Sequence, residues 1–195
     1  YCAASMFVSI GCTIGRVGPL EAVILSLVHS VVYTLNEVIC ADLIKGLDVG
    51  GSTTIHTFGA YAGLVTSLIL SRISKPTKKP HTSYNSNMFA FIGTLFLWMY
   101  WPSFNFGVFA KTSFAKTQII SNTIISLVGS CLATFMTSAF LKTKFTMEHL
   151  LNATLSGGVV IGAAAGLIIN PGGSLLIGFT TGIISTLGFQ FLTPY

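Results

Sequence analysis

The sequence predicts an all-α fold, a polytopic bundle of transmembrane helices. Of its 195 residues, 52% are hydrophobic and only 8% are charged, whereas soluble domains carry about 25% charged residues. The mean hydropathy is +0.79. Apolar runs of about 20 residues, the length of a helix that crosses a bilayer, recur along the chain. We therefore expect an integral, multi-pass membrane protein whose surroundings are the lipid bilayer.

Seven apolar segments are candidate spans. They cover residues 1–15, 20–43, 50–71, 88–106, 117–141, 150–169 and 174–191. The last two are separated by residues 170–173, whose sequence Asn-Pro-Gly-Gly predicts a turn. Glycines spaced four residues apart, such as Gly59 and Gly63 or Gly178 and Gly182, predict that helices approach one another closely.

The net charge of +5 is explained by membrane topology, because the basic residues lie in short loops between spans. We therefore expect no nucleic-acid partner. One side of the membrane would hold seven of the ten basic residues: Arg16, Arg72, Lys75, Lys78, Lys79, Lys142 and Lys144. The other side would hold three: Lys45, Lys111 and Lys116. The positive-inside rule places the first side in the cytoplasm. Residues 73–87 are then a cytoplasmic loop, and Tyr1 starts on the outer side.

Two ionisable residues lie in or beside the third span, where such residues are costly and usually functional. His56 lies within the apolar segment, where a neutral imidazole offers one hydrogen-bond donor and one acceptor. It could line a narrow path for a small solute or form an interhelical hydrogen bond. Asp48 precedes it by eight residues, with two glycines between. It could cap the helix by accepting from backbone N–H groups, or act below an outer vestibule.

Enzymatic and metal-dependent chemistry is not indicated. The four histidines and four cysteines show no spacing typical of metal ligands. No serine, histidine and acidic residue are spaced as in a hydrolase. We expect no cofactor, no metal and no enzymatic activity. A light-sensing seven-helix protein would need a lysine deep in the last span, and residues 174–191 contain none.

Three separated segments resemble the Rh glycoprotein branch of the ammonium transporter/Rh family. They are Asp48-Val-Gly-Gly-Ser-Thr-Thr-Ile-His56 with the residues that follow it, Phe96-Leu-Trp-Met-Tyr-Trp-Pro-Ser-Phe104-Asn105, and Asn152-Ala-Thr-Leu-Ser-Gly-Gly-Val159. They occur in the family's order, and the resemblance covers nearly the whole chain.

The resemblance implies roles for four residues of a narrow, largely apolar pore. His56 corresponds to the first of two histidines that share a hydrogen bond at mid-pore. Phe104 corresponds to the lower of two stacked phenylalanines at the outer mouth, and Tyr1 occupies its partner's position. Asp48 corresponds to a buried aspartate that is structural or assists ammonium handling. His56 and Asp48 are thus the expected substrate-binding residues.

The family's second histidine lies in a span beyond this chain, and the family has eleven or twelve spans. Residues 1–195 are therefore expected to be part of one such transmembrane domain, in a plasma-membrane homotrimer or Rh-type heterotrimer. The implied function is transport of ammonium or ammonia, with ammonium deprotonated before passage. Two alternatives remain: a non-conducting structural Rh-type subunit and a carbon dioxide channel.

Overall fold

The protein is described here by a computed structural model that covers residues 1–73, 83–107, 113–141 and 147–192. Within these residues there are seven α-helices and no β-strand. The helices are α1 (Cys2–Gly11), α2 (Pro19–Val38), α3 (Phe58–Ile73), α4 (Tyr84–Phe106), α5 (Ser113–Phe140), α6 (Met147–Ala164) and α7 (Pro171–Phe191). A π-helical segment, Ile39–Leu43, follows α2, and another, Ser52–Thr57, precedes α3. The all-α class is confirmed, and each of the seven candidate spans overlaps one of these helices.

Two of the helices that begin earlier than their apolar segments predicted, α4 and α7, are capped by polar residues. Ser83 precedes α4: its Oγ accepts from the backbone N–H of Ser86 at 3.2 Å, and its own N–H donates to the Ser86 hydroxyl at 2.9 Å. Asn170 precedes α7, and its Oδ1 accepts from the N–H of Gly173 at 2.6 Å. Pro171 takes the first helical position, where its missing N–H has no cost. The predicted turn at 170–173 is therefore a cap and the beginning of a helix.

The predicted cytoplasmic loop, residues 73–87, falls mostly outside the described residues, which omit 74–82. Its final residues, 84–87, belong to α4. Six of the basic residues used to orient the chain, Lys111 among them, also lie outside the described ranges. The other five are Lys75, Lys78, Lys79, Lys142 and Lys144.

Four helical stretches of the described chain are long and apolar enough to cross a membrane. They are Pro19–Leu43, Ser52–Ile73, Phe114–Phe140 and Pro171–Phe191. Two shorter apolar helices are Cys2–Gly11 and Leu150–Ala164. Many large apolar side chains are exposed, among them Phe7 at 74% and Phe89 at 77%. Such surfaces suit lipid rather than water.

The chain divides into unit 1, residues 1–81, and unit 2, residues 82–195. In unit 1, α1 and α3 pack against each other through small residues. A Cβ atom at Gly59 would lie 2.7 Å from the carbonyl oxygen of Ser5, and one at Gly63 would lie 2.9 Å from the Cα of Ser9. Both contacts advance by four residues in the same direction, so α1 and α3 run parallel. The close approach predicted from Gly59 and Gly63 is confirmed.

The two ends of unit 1 differ in character. After α1, Arg16 donates from Nη1 to the carbonyl oxygen of Ser67 in α3 at 3.1 Å. Arg16 therefore lies at the same end of the parallel pair as Arg72, which is in the last turn of α3. Tyr1 and Asp48 precede the first turns of the same two helical stretches, at the opposite end. This separation agrees with the predicted alternation of basic residues.

Unit 2 contains a second parallel pair, α5 and α7. A Cβ atom at Gly178 would overlap the carbonyl oxygen of Ser126, and one at Gly182 would lie 2.6 Å from that of Ser130. The close approach predicted from Gly178 and Gly182 is thus confirmed as well. Such backbone proximity is the usual means of helix association in lipid.

The helix α6, which lies between α5 and α7 in the sequence, also packs closely in unit 2. The Ser126 hydroxyl donates to the carbonyl oxygen of Gly157 at 2.9 Å, and the Ser130 hydroxyl donates to that of Thr154 at 2.6 Å. Both serines are fully buried. The core of unit 2 therefore contains buried serines whose hydrogen-bond partners on α6 are backbone atoms.

Candidate functional site

The segment that precedes α3 has an irregular backbone. Gly51 adopts a left-handed conformation with φ of +71°, which glycine adopts without steric cost. A Cβ atom at Gly51 would also overlap the side chain of Ile55, which is fully buried. The residues that follow form the π-helical turn Ser52–Thr57 instead of an α-helical one. Single π turns inside helices are rare and occur frequently at functional sites.

Asp48 anchors this turn with five hydrogen bonds. Its Oδ1 accepts from the N–H of Ser52 at 2.7 Å. Its Oδ2 accepts from the N–H and hydroxyl of Thr53 at 2.9 and 2.7 Å, and from the N–H and hydroxyl of Thr54 at 2.8 and 3.0 Å. The start of a helix leaves its first N–H groups without intrahelical partners. The cap proposed for Asp48 from the sequence is therefore confirmed.

His56 is the fifth residue of the π-helical turn and is half-buried. Its backbone N–H donates to the carbonyl oxygen of Gly51 at 3.1 Å, and the N–H of Ile55 donates to the same oxygen at 2.9 Å. The backbone of His56 is thus fixed by a carbonyl whose direction depends on the left-handed Gly51. Asp48, Gly51 and His56 form one structural device, although the ionisable residues are eight positions apart.

Tyr1 precedes α1 and is 36% exposed. Its carbonyl oxygen accepts from the N–H of Ser5 at 3.0 Å, in the first turn of the helix. Because α1 and α3 are parallel, Tyr1 lies at the end of unit 1 that also holds Asp48. Three of the four predicted pore residues thus belong to unit 1.

Phe104 belongs to unit 2. It lies in the last turn of α4 and is half-buried. Its ring centroid is 6.2 Å from that of Trp101, in an edge-to-face arrangement. Edge-to-face pairs hold aromatic rings in a defined orientation. The ring of Phe104 is therefore held from within its own helix.

Two buried polar residues carried no predicted role. Asn105 is fully buried, and its Nδ2 donates to the Thr123 hydroxyl at 3.0 Å. His29, in the middle of α2, is 8% exposed and bonds to Ser5 and Ser9. The argument that singled out His56, the cost of an ionisable ring in an apolar span, applies equally to His29.

Among the described residues, no group of three or more His, Cys, Asp or Glu side chains could hold a metal ion. The arrangement in unit 1 offers hydrogen-bonding groups at one end of an apolar helix pair. Such an arrangement can bind and orient a small polar solute.

Residues 1–195 match the model of the Ammonium Transporter Family. The chain belongs to this family. It is 44% identical over 199 aligned residues to the ammonium transporter Rh type C of Canis lupus familiaris, covering 100% of this chain and 43% of the relative. It is 42% identical over 200 aligned residues to the ammonium transporter Rh type B of Rattus norvegicus, covering 100% of this chain and 43% of the relative.

The fold is also similar to a solved structure, that of Rh50 from Nitrosomonas europaea, which is described with a mechanism of conduction by the Rhesus protein family of channels. The TM-score is 0.89 and the identity 35%, covering 98% of this chain and 51% of the other. The resemblance to the Rh branch and the membrane class are thus confirmed. These relatives are transporters and channels, in agreement with the expectation that the chain is not an enzyme. The chain spans less than half of the length of the curated relatives named above.

Proposed function

We propose that this chain is part of an Rh-type subunit that conducts ammonium nitrogen across a membrane. The observation that carries the proposal is the turn that Asp48 and Gly51 build before α3, because it places His56 at the start of an apolar span. A regular helix would need neither a left-handed glycine nor a carboxylate that accepts five hydrogen bonds. The names of the Rh relatives supply the substrate, ammonium.

In this proposal His56 lines the pore and binds the passing solute. Its neutral imidazole offers one donor and one acceptor, which match the donors and the lone pair of ammonia. An ammonium ion that leaves water for an apolar conduit incurs a penalty of several kcal/mol, about the cost for any small ion after relaxation. Ammonium therefore gives its proton to water at the outer mouth before passage, and the neutral molecule passes His56. A second histidine from the rest of the subunit completes the pair.

We propose that Asp48 has a second role in conduction besides capping the turn. Among the described residues it accepts five hydrogen bonds, of which four end on Oδ2 and one ends on Oδ1. An ionised carboxylate has about four acceptor sites over its two oxygens. We propose that Oδ2 holds the turn and that Oδ1 keeps capacity for one further donor. Asp48 would then favour a cation at this end of the pore while remaining fixed in the backbone cap.

The entrance is proposed from the family resemblance. Tyr1 and Phe104 supply the two aromatic rings that close the outer mouth, and the end of unit 1 that holds Tyr1 faces outward. The Tyr1 hydroxyl adds a polar group where the family has a phenylalanine. The complete subunit is proposed to be a plasma-membrane protein that assembles as a homotrimer or an Rh-type heterotrimer.

The test is His56→Ala in the complete subunit, reconstituted into proteoliposomes at matched protein content. We expect ammonia flux to fall strongly, because the substituted side chain offers no hydrogen bond. His56→Gln, which keeps a donor and an acceptor, should retain more flux. Flux equal to that of the unsubstituted subunit in His56→Ala would contradict the pore role.

The same vesicles separate the proposal from its alternatives. An unsubstituted subunit that assembles but conducts no ammonia would support the structural Rh-type subunit. Carbon dioxide flux that depends on His56, without ammonia flux, would support the gas channel.

A further inference from the structure

Besides His56, unit 1 contains another histidine, His29, whose side chain is buried. His29 lies in α2, and its Nε2 is 3.1 Å from the Ser5 hydroxyl, while its Nδ1 is 3.4 Å from the Ser9 hydroxyl. Ser9 in turn donates to the carbonyl oxygen of Gly59 in α3 at 2.8 Å. We propose that His29 is a positioning residue that fixes His56 through Ser9 and the first turn of α3. This inference rests on the pore role proposed for His56.

The hydrogen bonds assign one tautomer to the His29 ring. A serine hydroxyl has one hydrogen, and that of Ser9 is given to the carbonyl oxygen of Gly59. Ser9 can then only accept from His29, so the proton of the neutral ring is on Nδ1. Nε2 accepts from the hydroxyl of Ser5. Both ring nitrogens then have a partner. The hydrogen bonds run in one direction, from His29 in α2 to Ser9 in α1 and from Ser9 to Gly59 in α3.

The chain ends close to His56 along the backbone. Gly59, whose carbonyl oxygen Ser9 holds, is three residues after His56, a rise of about 4.5 Å along an α-helix. The intervening Phe58 also contacts His29, with ring centroids 5.3 Å apart. A shift in the first turn of α3 is therefore transmitted directly to the π-helical turn that carries His56.

The nitrogen atoms of the His29 ring have polar partners, whereas the rest of the ring has aromatic and apolar neighbours. Besides Phe58, its ring stacks on Tyr33 at a centroid distance of 6.3 Å. It also borders an apolar cavity of about 360 Å³ between α1, α2 and α3. A different side chain of similar length can therefore be accommodated. A leucine would fill the position and would make no hydrogen bond to either serine, whereas a glutamine could bond to both.

The experiment compares His29→Leu with His29→Gln in the complete subunit, with ammonia flux measured at equal amounts of assembled protein in proteoliposomes. We expect His29→Leu to lower flux several-fold and His29→Gln to restore most of it, because the amide donates and accepts. Ser9→Ala should lower flux as His29→Leu does. Ser30→Ala is the matched control, since Ser30 is a partly exposed α2 serine that bonds only within its own helix in the described structure, to Leu27 at 2.8 Å.

A spectroscopic measurement separates positioning from simple packing. With histidine labelled by ¹⁵N, the ring resonances of His29 should report an Nδ1–H tautomer. Those of His56 should shift in His29→Leu and in Ser9→Ala and stay in place in His29→Gln. Should His29→Leu fail to assemble, Ser9→Ala carries the same test with a smaller change.

The outcomes distinguish the two proposals. If His56→Ala lowers flux while His29→Leu and Ser9→Ala change neither flux nor the His56 resonances, the positioning role is wrong and the pore role stands. If His56→Ala leaves flux unchanged, the proposed function is wrong, and so is the proposal that His29 affects transport by positioning His56. Equal flux losses in His29→Leu and His29→Gln would also overturn the inference.

Discussion

Units 1 and 2 use the same packing pattern and differ in how they complete it. Each has a parallel helix pair in which glycines four residues apart face serines four residues apart. The contacts are Gly59 with Ser5 and Gly63 with Ser9 in unit 1, and Gly178 with Ser126 and Gly182 with Ser130 in unit 2. In unit 2 the serine hydroxyls donate to backbone carbonyl oxygens of α6. In unit 1 the serine hydroxyls bond to the side chain of His29, and that of Ser9 also donates to the carbonyl oxygen of Gly59.

The second helix of each pair, α3 in unit 1 and α7 in unit 2, also begins differently. In α7, Asn170 caps a regular helix through one bond to the N–H of Gly173 at 2.6 Å. Before α3, Asp48 accepts five bonds from three successive residues and holds a π-helical turn. In unit 2 the serines that face the glycines thus donate to backbone atoms, and α7 has an ordinary cap. In unit 1 the corresponding serines bond to His29, and the Asp48 carboxylate caps the turn that carries His56.

The largest expected effect is in the tight packing of unit 2. Gly178→Ala would place a Cβ atom onto the backbone of Ser126, which cannot rotate away. We expect the free energy of unfolding to fall by about 3 kcal/mol, the upper end of the usual range for overpacking. Thermal unfolding of the complete subunit in detergent measures the change. Gly188→Ala, in the same helix with open space around the position, is the control. Equal stability of the two variants would contradict the close contact.

The second prediction compares the two caps. Asp48→Ala leaves three successive N–H groups without their acceptor and should cost about 2 kcal/mol, the upper end for a helix cap. Asn170→Ala removes one bond and should cost about 1 kcal/mol. Thermal unfolding measures both variants, and Asp42→Ala, which alters an exposed acidic residue, is the control for lost charge.

Transport measurements sharpen this comparison. Per assembled subunit, Asp48→Ala should lose ammonia flux because His56 is no longer held, whereas Asn170→Ala should conduct normally. If both variants lost stability and flux in the same proportion, the two caps would be equivalent, and the distinction between the units would be wrong.

The sequence predicted the features that depend on local composition. Hydropathy located seven helical segments, and the glycine spacing located both close helix contacts. The position of Asp48 before two glycines indicated a cap. The π-helical turn at His56 could not be predicted, because an average over about 20 residues does not detect one irregular turn. It depends on the left-handed backbone of Gly51, with φ of +71°, and on the bonds that Asp48 accepts from three successive residues.

The role of His29 was also beyond the sequence. Its partners, Ser5 and Ser9, are 24 and 20 residues away in the chain. Only the packing of three helices brings them together. For the same reason Asn105 matched a family motif without a role, since its partner Thr123 lies in the next helix, 18 residues away. Buried polar networks are set by tertiary structure, and spacing along one segment does not report them.

The smallest expected effect tests whether the serines of the two units are equivalent. Ser126→Ala removes one hydrogen bond to the carbonyl oxygen of Gly157. Interhelical hydrogen bonds in membranes contribute about 0.6 kcal/mol on average, so we expect a loss of stability of about that size. Flux per assembled subunit should not change. Ser9→Ala should cost a similar amount of stability and should lower flux, because Ser9 links His29 to the helix that carries His56. Reduced flux in Ser126→Ala would show that serine packing as such affects conduction, and the separate role assigned to unit 1 would be lost.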